Sequence, residues 1–237
     1  VYFMNGGTVL SADPSYMSLM NVAKSVGAEW KGVSLKKDWS HDLDAMEKAI
    51  TPETKLVYIC NPNNPTGTIT GYKELKDFCS RVSEKVPVFV DEAYLDFVEG
   101  EDGQSMVTLL NEGKNVIVAR TFSKIHGMAG LRVGYAAALP ETLETIQKIT
   151  RGGMGIANTS IYAAMESMKD TGFQESSRLK NKEVREYTYG RLKEMGFEPV
   201  PSHTSFMIFE QSELEGREFL NKMMAHGIGV RSFEIYD

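Results

Sequence analysis

The sequence is poor in cysteine, in long apolar runs and in excess positive charge, and each shortage removes a class of protein. Cys60 and Cys79 are the only two cysteines in 237 residues. That is too few for a disulfide scaffold and points to a reducing, cytoplasmic setting. No stretch approaches the roughly 18 apolar residues that a membrane-spanning helix needs, and no basic segment followed by an apolar one marks a secretion signal. Lysine and arginine total 26 against 32 acidic residues, so no general basic surface for nucleic acid is expected. A hydrophobic share of 42% with 24% charged residues supplies a core and excludes a disordered tail. No internal repeat or low-complexity tract is present.

What is there has the rhythm of alternating strands and helices. Strands are expected at residues 9–11, 30–35, 55–60, 86–90, 115–119 and 132–137, and helices at 16–26, 42–50, 72–84 and 140–149. The run Leu56-Val57-Tyr58-Ile59-Cys60 is apolar almost without interruption, as in a strand covered on both faces of a parallel sheet. A short run at 107–110 is followed by Gly113. Further on, helices are expected at 158–168, 175–195 and 216–225, with strands at 205–209 and 228–231. The expected division is a large domain over 1–150, a connecting helical region over 151–174 and a small domain over 175–237. In parallel α/β sheets, ligands sit at the carboxyl ends of the strands.

Three of those ends carry polar clusters. Thr121-Phe122-Ser123-Lys124 places an amine between hydroxyls, with Gly127, Gly130 and Gly134 loosening the loop and Arg132 eight residues on. A lysine amine forms a Schiff base with a carbonyl, and a guanidinium grips phosphate or carboxylate in two-pronged fashion. Taken singly, a lysine of this kind is an ordinary surface residue. Asp91 ends the apolar run Val86-Pro87-Val88-Phe89-Val90. A buried acid there needs a partner: a cationic ring nitrogen, a helix terminus that it caps, or a metal. No histidine or cysteine stands at ligand spacing, so a metal is discounted. Tyr94 follows at a reach that allows its hydroxyl into the same site. The loop Asn61-Pro62-Asn63-Asn64-Pro65-Thr66-Gly67 fixes a turned backbone and offers amides, but it lacks the glycine-lysine pattern of a nucleotide loop. By itself it is equally well a structural loop.

Taken together, Asn61–Gly67, Asp91-Glu92-Ala93-Tyr94, and Ser123-Lys124 with Gly130-Leu131-Arg132-Val133-Gly134-Tyr135 resemble the class I and II aminotransferases of pyridoxal-phosphate fold type I. The doubled asparagine-proline loop and the run Arg120–Lys124 resemble the histidinol-phosphate aminotransferase branch most. The resemblance implies a mainly parallel sheet sandwiched by helices, with a small α+β C-terminal domain. It implies that residues 1–150 bind pyridoxal 5'-phosphate. Lys124 is then the lysine that holds the cofactor as an aldimine and moves protons during catalysis. Asp91 pairs the ring nitrogen, and Tyr94 and Asn64 donate to the phenolic oxygen. Thr121, Ser123 and Arg132 form part of a phosphate cup. Tyr16, in Pro14-Ser15-Tyr16, resembles the aromatic that stacks on the ring; its alternative is a core residue opening a helix. Asn158 is placed near the substrate, with the caution that Arg151-Gly152-Gly153-Met154-Gly155 departs from the family pattern before it. Met154, His126 and Met128 are weaker site candidates.

The implied activity moves an amino group from histidinol phosphate or an amino acid to 2-oxoglutarate. The alternatives are a threonine-phosphate-decarboxylase-like lyase on the same motifs, an inactive cofactor-binding remnant, and a purely structural α/β domain. The family also implies a homodimer. Its upstream phosphate-binding segment and its late carboxylate-binding arginine have no match here, and Arg231 resembles a residue preceding that arginine. The expectation is therefore an incomplete piece lacking both family ends.

Overall fold

The computed structural model describes residues 1–150, 155–211 and 214–232. Its centre is a six-stranded sheet made of β1 (Thr8–Asp13), β2 (Glu29–Ser34), β3 (Thr54–Cys60), β4 (Val88–Asp91), β5 (Val116–Thr121) and β6 (Gly134–Ala137), in the order β2-β1-β3-β4-β5-β6. The first five strands are mutually parallel, and β6 runs antiparallel to β5. The chain moves outward from β1 to β2, then returns past β1 to β3 and continues the other way. The order therefore reverses between β1 and β3, which is where an open α/β sheet leaves a crevice.

The two faces of the sheet are filled by alternate residues of the same strands, as a side-chain period of two requires. On β3, Val57 and Ile59 join Leu10, Val88 and Val90 on one face; Leu56, Tyr58 and Cys60 face the other. The first face is covered by α2 (Leu43–Lys48) and α3 (Tyr72–Val82). Leu75, Phe78, Cys79 and Val82 are the buried residues of α3, at the spacing of a single helical stripe. Asp42 caps α2 by accepting from Ala45 N at 3.0 Å. The second face is covered by α1 (Ser18–Ser25), through Met20 and Ala23.

Beyond β6 come α4 (Pro140–Gln147), α5 (Asn158–Lys169), α6 (Thr171–Glu194), a two-stranded antiparallel pair β7 (Glu198–Pro199) and β8 (Phe209–Glu210), and α7 (Gly216–Ala225). No helix among the described residues is long and apolar enough to cross a membrane. The long helix α6 is tied back to the rest by Arg178 Nε, which donates to Asp96 O at 2.8 Å, and by Asn181 Nδ2, which donates to Thr204 O at 3.1 Å.

The structure assigns an element to the run at 107–110, which the sequence leaves without one, and corrects several local expectations. The apolar run at 107–110 lies within a 3₁₀ turn, Met106–Glu112, that Ser105 caps and Gly113 ends at φ +70°. Residues 205–209 contribute only Phe209 to a strand, residues 228–231 form none, and the β7 partner was not anticipated. Short apolar runs have too few residues to distinguish a strand period from a helix period. The long helix begins at Thr171 rather than Glu175 because Asp170 accepts from Phe173 N at 2.9 Å and starts it there.

Candidate active site

Because β1, β3, β4 and β5 are parallel, their carboxyl ends share one edge of the sheet, and the antiparallel β6 adds its beginning to the same edge. Tyr16 follows β1, Asn64 follows β3, Asp91 and Tyr94 stand at and after β4, Thr121, Ser123 and Lys124 at and after β5, and Arg132 just before β6. These eight residues are thus delivered to one edge.

Asp91 lies opposite Cys60 on β3 and Ala119 on β5. Its Oδ2 accepts from the Tyr58 hydroxyl at 2.9 Å and its Oδ1 from Ala93 N at 3.1 Å. Burial pushes its pKa above the ordinary carboxylate value, against the opposing effects of the Tyr58 and Ala93 hydrogen bonds and the nearby Lys124 charge. Each oxygen accepts one donor in the protein, so accepting capacity remains for a ligand.

Lys124 is exposed, and its Nζ stands 4.9 Å from the centroid of the Tyr94 ring, a cation–π distance. Tyr94 is 6% exposed, packs with Phe97 and Ile125, and meets Phe206 edge-on at 5.0 Å. The ring therefore walls the site from the side of the C-terminal segment. Thr121 Oγ1 accepts from Ser123 N at 3.1 Å, which tightens the turn ahead of the lysine. Arg132 occupies the left-handed region at φ +50°, and its guanidinium donates to Ala129 O at 2.8 Å while staying exposed. Tyr16 is 44% exposed ahead of α1. A core role for it is therefore excluded.

The asparagine-proline loop divides its labour. Asn61 closes the loop on itself, accepting from Thr70 N at 2.8 Å and donating to Thr70 O at 3.1 Å. Asn63 donates to Pro14 O at 3.1 Å and to Thr66 Oγ1 at 2.9 Å, and accepts from Ser15 Oγ at 3.1 Å. It thereby joins the loop after β3 to the loop after β1. Asn64 is left half-buried at the lip of the site. Gly67, at φ +75°, packs so closely on Ser202 that an added Cβ would lie 2.4 Å from its Oγ.

The motifs hid one arrangement. Glu92, 2% exposed, accepts from Arg120 Nε at 3.0 Å, from Ser105 Oγ at 2.7 Å and from Met106 N at 2.8 Å. Arg120 also reaches Asp96 at 2.7 Å. The signal in the sequence was an acid beside Asp91 and a base at the end of the next strand. The Tyr58 hydroxyl was also missed, inside an otherwise apolar strand.

Of the weaker candidates, His126 stacks on Phe122 with ring centroids 4.7 Å apart and pairs its Nδ1 with Ser167 Oγ at 2.8 Å, and Met128 packs with the Phe122, Val133 and Ala164 cluster. Both serve the packing beneath the lysine turn. A cavity of about 130 Å³ beside that turn is lined by Arg120, Thr121, His126 and Tyr135 and includes neither Lys124 nor Asp91. Asn158 opens α5 and is exposed. Arg231 is exposed. Met154 lies outside the described residues.

The mainly parallel sheet, with an amine, a half-buried acid and hydroxyls at its carboxyl edge, matches the fold type I architecture of the solved relatives. The chain belongs to the family described as aminotransferase class I and II, which aligns with residues 1–236. It is 37% identical over 236 residues to the histidinol-phosphate aminotransferase of Moorella thermoacetica, covering 99% of this chain and 60% of that protein. It is 35% identical over 228 residues to that of Akkermansia muciniphila, covering 96% of this chain and 61% of that protein. A crystal structure of histidinol-phosphate aminotransferase from Sinorhizobium meliloti in complex with pyridoxal-5'-phosphate superimposes with a TM-score of 0.87 at 28% identity, over 95% of this chain and 62% of that one.

These matches replace the expectation of a piece defined by its missing ends with a family assignment over the chain itself. They run along 95–99% of the chain, so the family is assigned to essentially all of it. The chain spans about three-fifths of the length of the curated relatives it matches.

The donor set suits a phosphorylated pyridine aldehyde. Asp91 is a half-buried carboxylate with accepting capacity to spare, the charge a cationic ring nitrogen needs. Lys124 supplies an amine to a carbonyl, and Thr121, Ser123 and Arg132 supply donors to an anion.

Proposed function

We propose that this chain is a pyridoxal-phosphate-dependent aminotransferase of the histidinol-phosphate branch. The observation that carries this reading is the arrival of Asp91 at the end of β4 and of Lys124 in the turn after the adjacent parallel β5, with the Tyr94 ring against the lysine. Bound pyridoxal phosphate supplies a ring that withdraws electrons from the carbon bearing the amino group. Asp91 would pair its negative charge with the ring nitrogen, in a half-buried setting where that charge is more strongly felt than in water. Lys124 Nζ would hold the cofactor through its aldehyde carbon and, when free, would be the base that takes the proton from the donor's α-carbon and the acid that delivers it to the cofactor's carbon. Asn64 and Tyr94 would donate to the ring's phenolic oxygen. Thr121, Ser123 and Arg132 would hold the phosphate, and Tyr16 would cover the ring.

The amino donor in this reading is histidinol phosphate or an amino acid, and the acceptor is 2-oxoglutarate. The protein acts in the cytoplasm. It works as a homodimer, in keeping with the large exposed apolar side chains of Tyr162 and Met165 on α5 and Val184 and Tyr187 on α6. The small domain begins near residue 175.

The test is spectroscopic. Purified chain incubated with pyridoxal phosphate, reduced with borohydride and freed of unbound cofactor is expected to keep a near-ultraviolet absorption band that Lys124→Ala abolishes while circular dichroism stays unchanged. Histidinol phosphate, aromatic amino acids and glutamate are added separately to unreduced chain, and the donor that converts its band names the substrate class. A band that persists unaltered in Lys124→Ala overturns the assignment.

A further inference from the structure

β3 is apolar from Leu56 to Cys60 except for one phenolic hydroxyl. Tyr58 is 2% exposed and packs with Met20, Cys60 and the Phe89 ring, the last at 5.7 Å between centroids. A phenylalanine would make all of those contacts. A buried hydroxyl costs free energy unless it is partnered, and this one spends its proton on Asp91 Oδ2 at 2.9 Å. The register explains the meeting. Tyr58 pairs with Phe89, and Asp91 stands two residues along β4 on the same face, a diagonal neighbour within reach of a long side chain.

We propose that Tyr58 is a positioning residue that fixes the orientation and the charge of Asp91 for a cationic ring nitrogen. The inference rests on the reading of the site given above. With Oδ2 held by Tyr58 and Oδ1 by Ala93 N, the carboxylate is anchored at both oxygens from behind. An anchored acid presents its remaining lone pairs in one direction, which is the preorganisation a buried ion pair needs. The donor is permanent, because burial pushes the Tyr58 phenol far above its ordinary value and keeps its proton in place. The ionisable groups that face Asp91 are Tyr58 and Cys60 from β3 and Lys124 from the turn after β5. Cys60 is itself pushed up by burial and stays neutral. Among the described residues, Lys124 is the only cation of these neighbours, and Tyr58 the only side chain of a neighbouring strand that donates to the Asp91 carboxylate.

The decisive variant is Tyr58→Phe, which removes one oxygen and leaves the ring. In the chain without cofactor, the Asp91 carboxyl is titrated by carbon-13 NMR, with Asp91→Asn assigning the signal. The midpoint is expected to rise in Tyr58→Phe, because the charged form loses a donor. Pyridoxal phosphate is expected to bind Tyr58→Phe about tenfold more weakly, and the same substitution is expected to have no further effect in an Asp91→Asn background. Thermal melting monitors folding. An Asp91 midpoint that does not move in folded Tyr58→Phe overturns the proposal, whether or not the chain takes up pyridoxal phosphate. A wild-type chain that takes up none, with the midpoint still moving, overturns the cofactor reading and leaves the Tyr58–Asp91 link standing.

Discussion

Arg120 Nε stands 3.0 Å from a Glu92 carboxylate that is almost wholly buried, and the same guanidinium reaches Asp96 at 2.7 Å. The link ties the end of β5 to the turn after β4, the two segments that carry Lys124 and Tyr94. Removing one partner leaves a buried charge without compensation, which is far costlier than losing a surface ion pair. Glu92→Gln and Arg120→Met are each expected to cost about 3 kcal/mol in urea unfolding. The double variant is expected to cost clearly less than the sum, because both charges leave together. Strict additivity would show that the pair is not coupled.

The loop after β3 separates a structural asparagine, Asn63, from one that the proposed function assigns to the cofactor, Asn64. Asn63→Ala gives up hydrogen bonds to Pro14, Ser15 and Thr66 and is expected to lose about 2 kcal/mol of stability. Asn64→Ala is expected to change stability by less than about 0.5 kcal/mol while weakening pyridoxal phosphate binding. Unfolding curves and a spectroscopic cofactor titration on both variants decide the matter. The opposite pattern would exchange the two roles.

Gly67 has two reasons to be glycine: its φ of +75° and the proximity of Ser202. Gly67→Ala is therefore expected to destabilise by more than the 1–2 kcal/mol or so that a left-handed backbone alone costs. Adding Ser202→Gly removes the collision but not the backbone cost, so it is expected to restore only part of the loss. A full recovery of the melting temperature would assign everything to the collision.

His41 predicts an acid-sensitive stability. It is 1% exposed, its Nδ1 meets Thr70 Oγ1 at 2.9 Å, and burial, helped by the charge of Lys36, lowers its pKa from 6.5 to about 4. Unfolded, the ring takes its proton near pH 6.5; folded, it resists until about 4. The unfolded chain thus binds the extra proton in this window. Stability is full above pH 6.5 and falls as the pH drops, by about 2 kcal/mol at pH 5. Other groups also titrate, so the contrast with His41→Asn isolates the contribution. This variant is expected to be less stable at pH 7 and to lose less between pH 7 and pH 5. Parallel pH slopes for the two chains would remove His41 as the cause.

The elements that the sequence displayed best were the long periodic ones. Leu75, Phe78, Cys79 and Val82 trace one stripe of α3, and the β3 run has a single interpretation once a parallel sheet is assumed. The site edge was legible for the same reason: parallel strands bring their ends together wherever the motifs fall along the chain. The direction of β6 was not legible, because antiparallel pairing with β5 depends on the turn containing Arg132 rather than on any period. Residues 107–110 offered too short a run to separate a strand from a 3₁₀ turn. The Glu92–Arg120 and Tyr58–Asp91 contacts each join two strands, and their partners are decided by register, which local composition does not carry.

The Asn63 bridge to Pro14 and Ser15, and the close seat of Gly67 on Ser202, have an evolutionary corollary. The loop after β3 is not an independent module that can be exchanged between relatives. Its backbone is shared with the loop after β1 on one side and with residues 202–204 on the other. Homologues that replace Gly67 should also change at position 202, and those that replace Asn63 should change at position 15. Chimaeras that transplant residues 61–70 alone should misfold, whereas those that carry all three segments together should assemble.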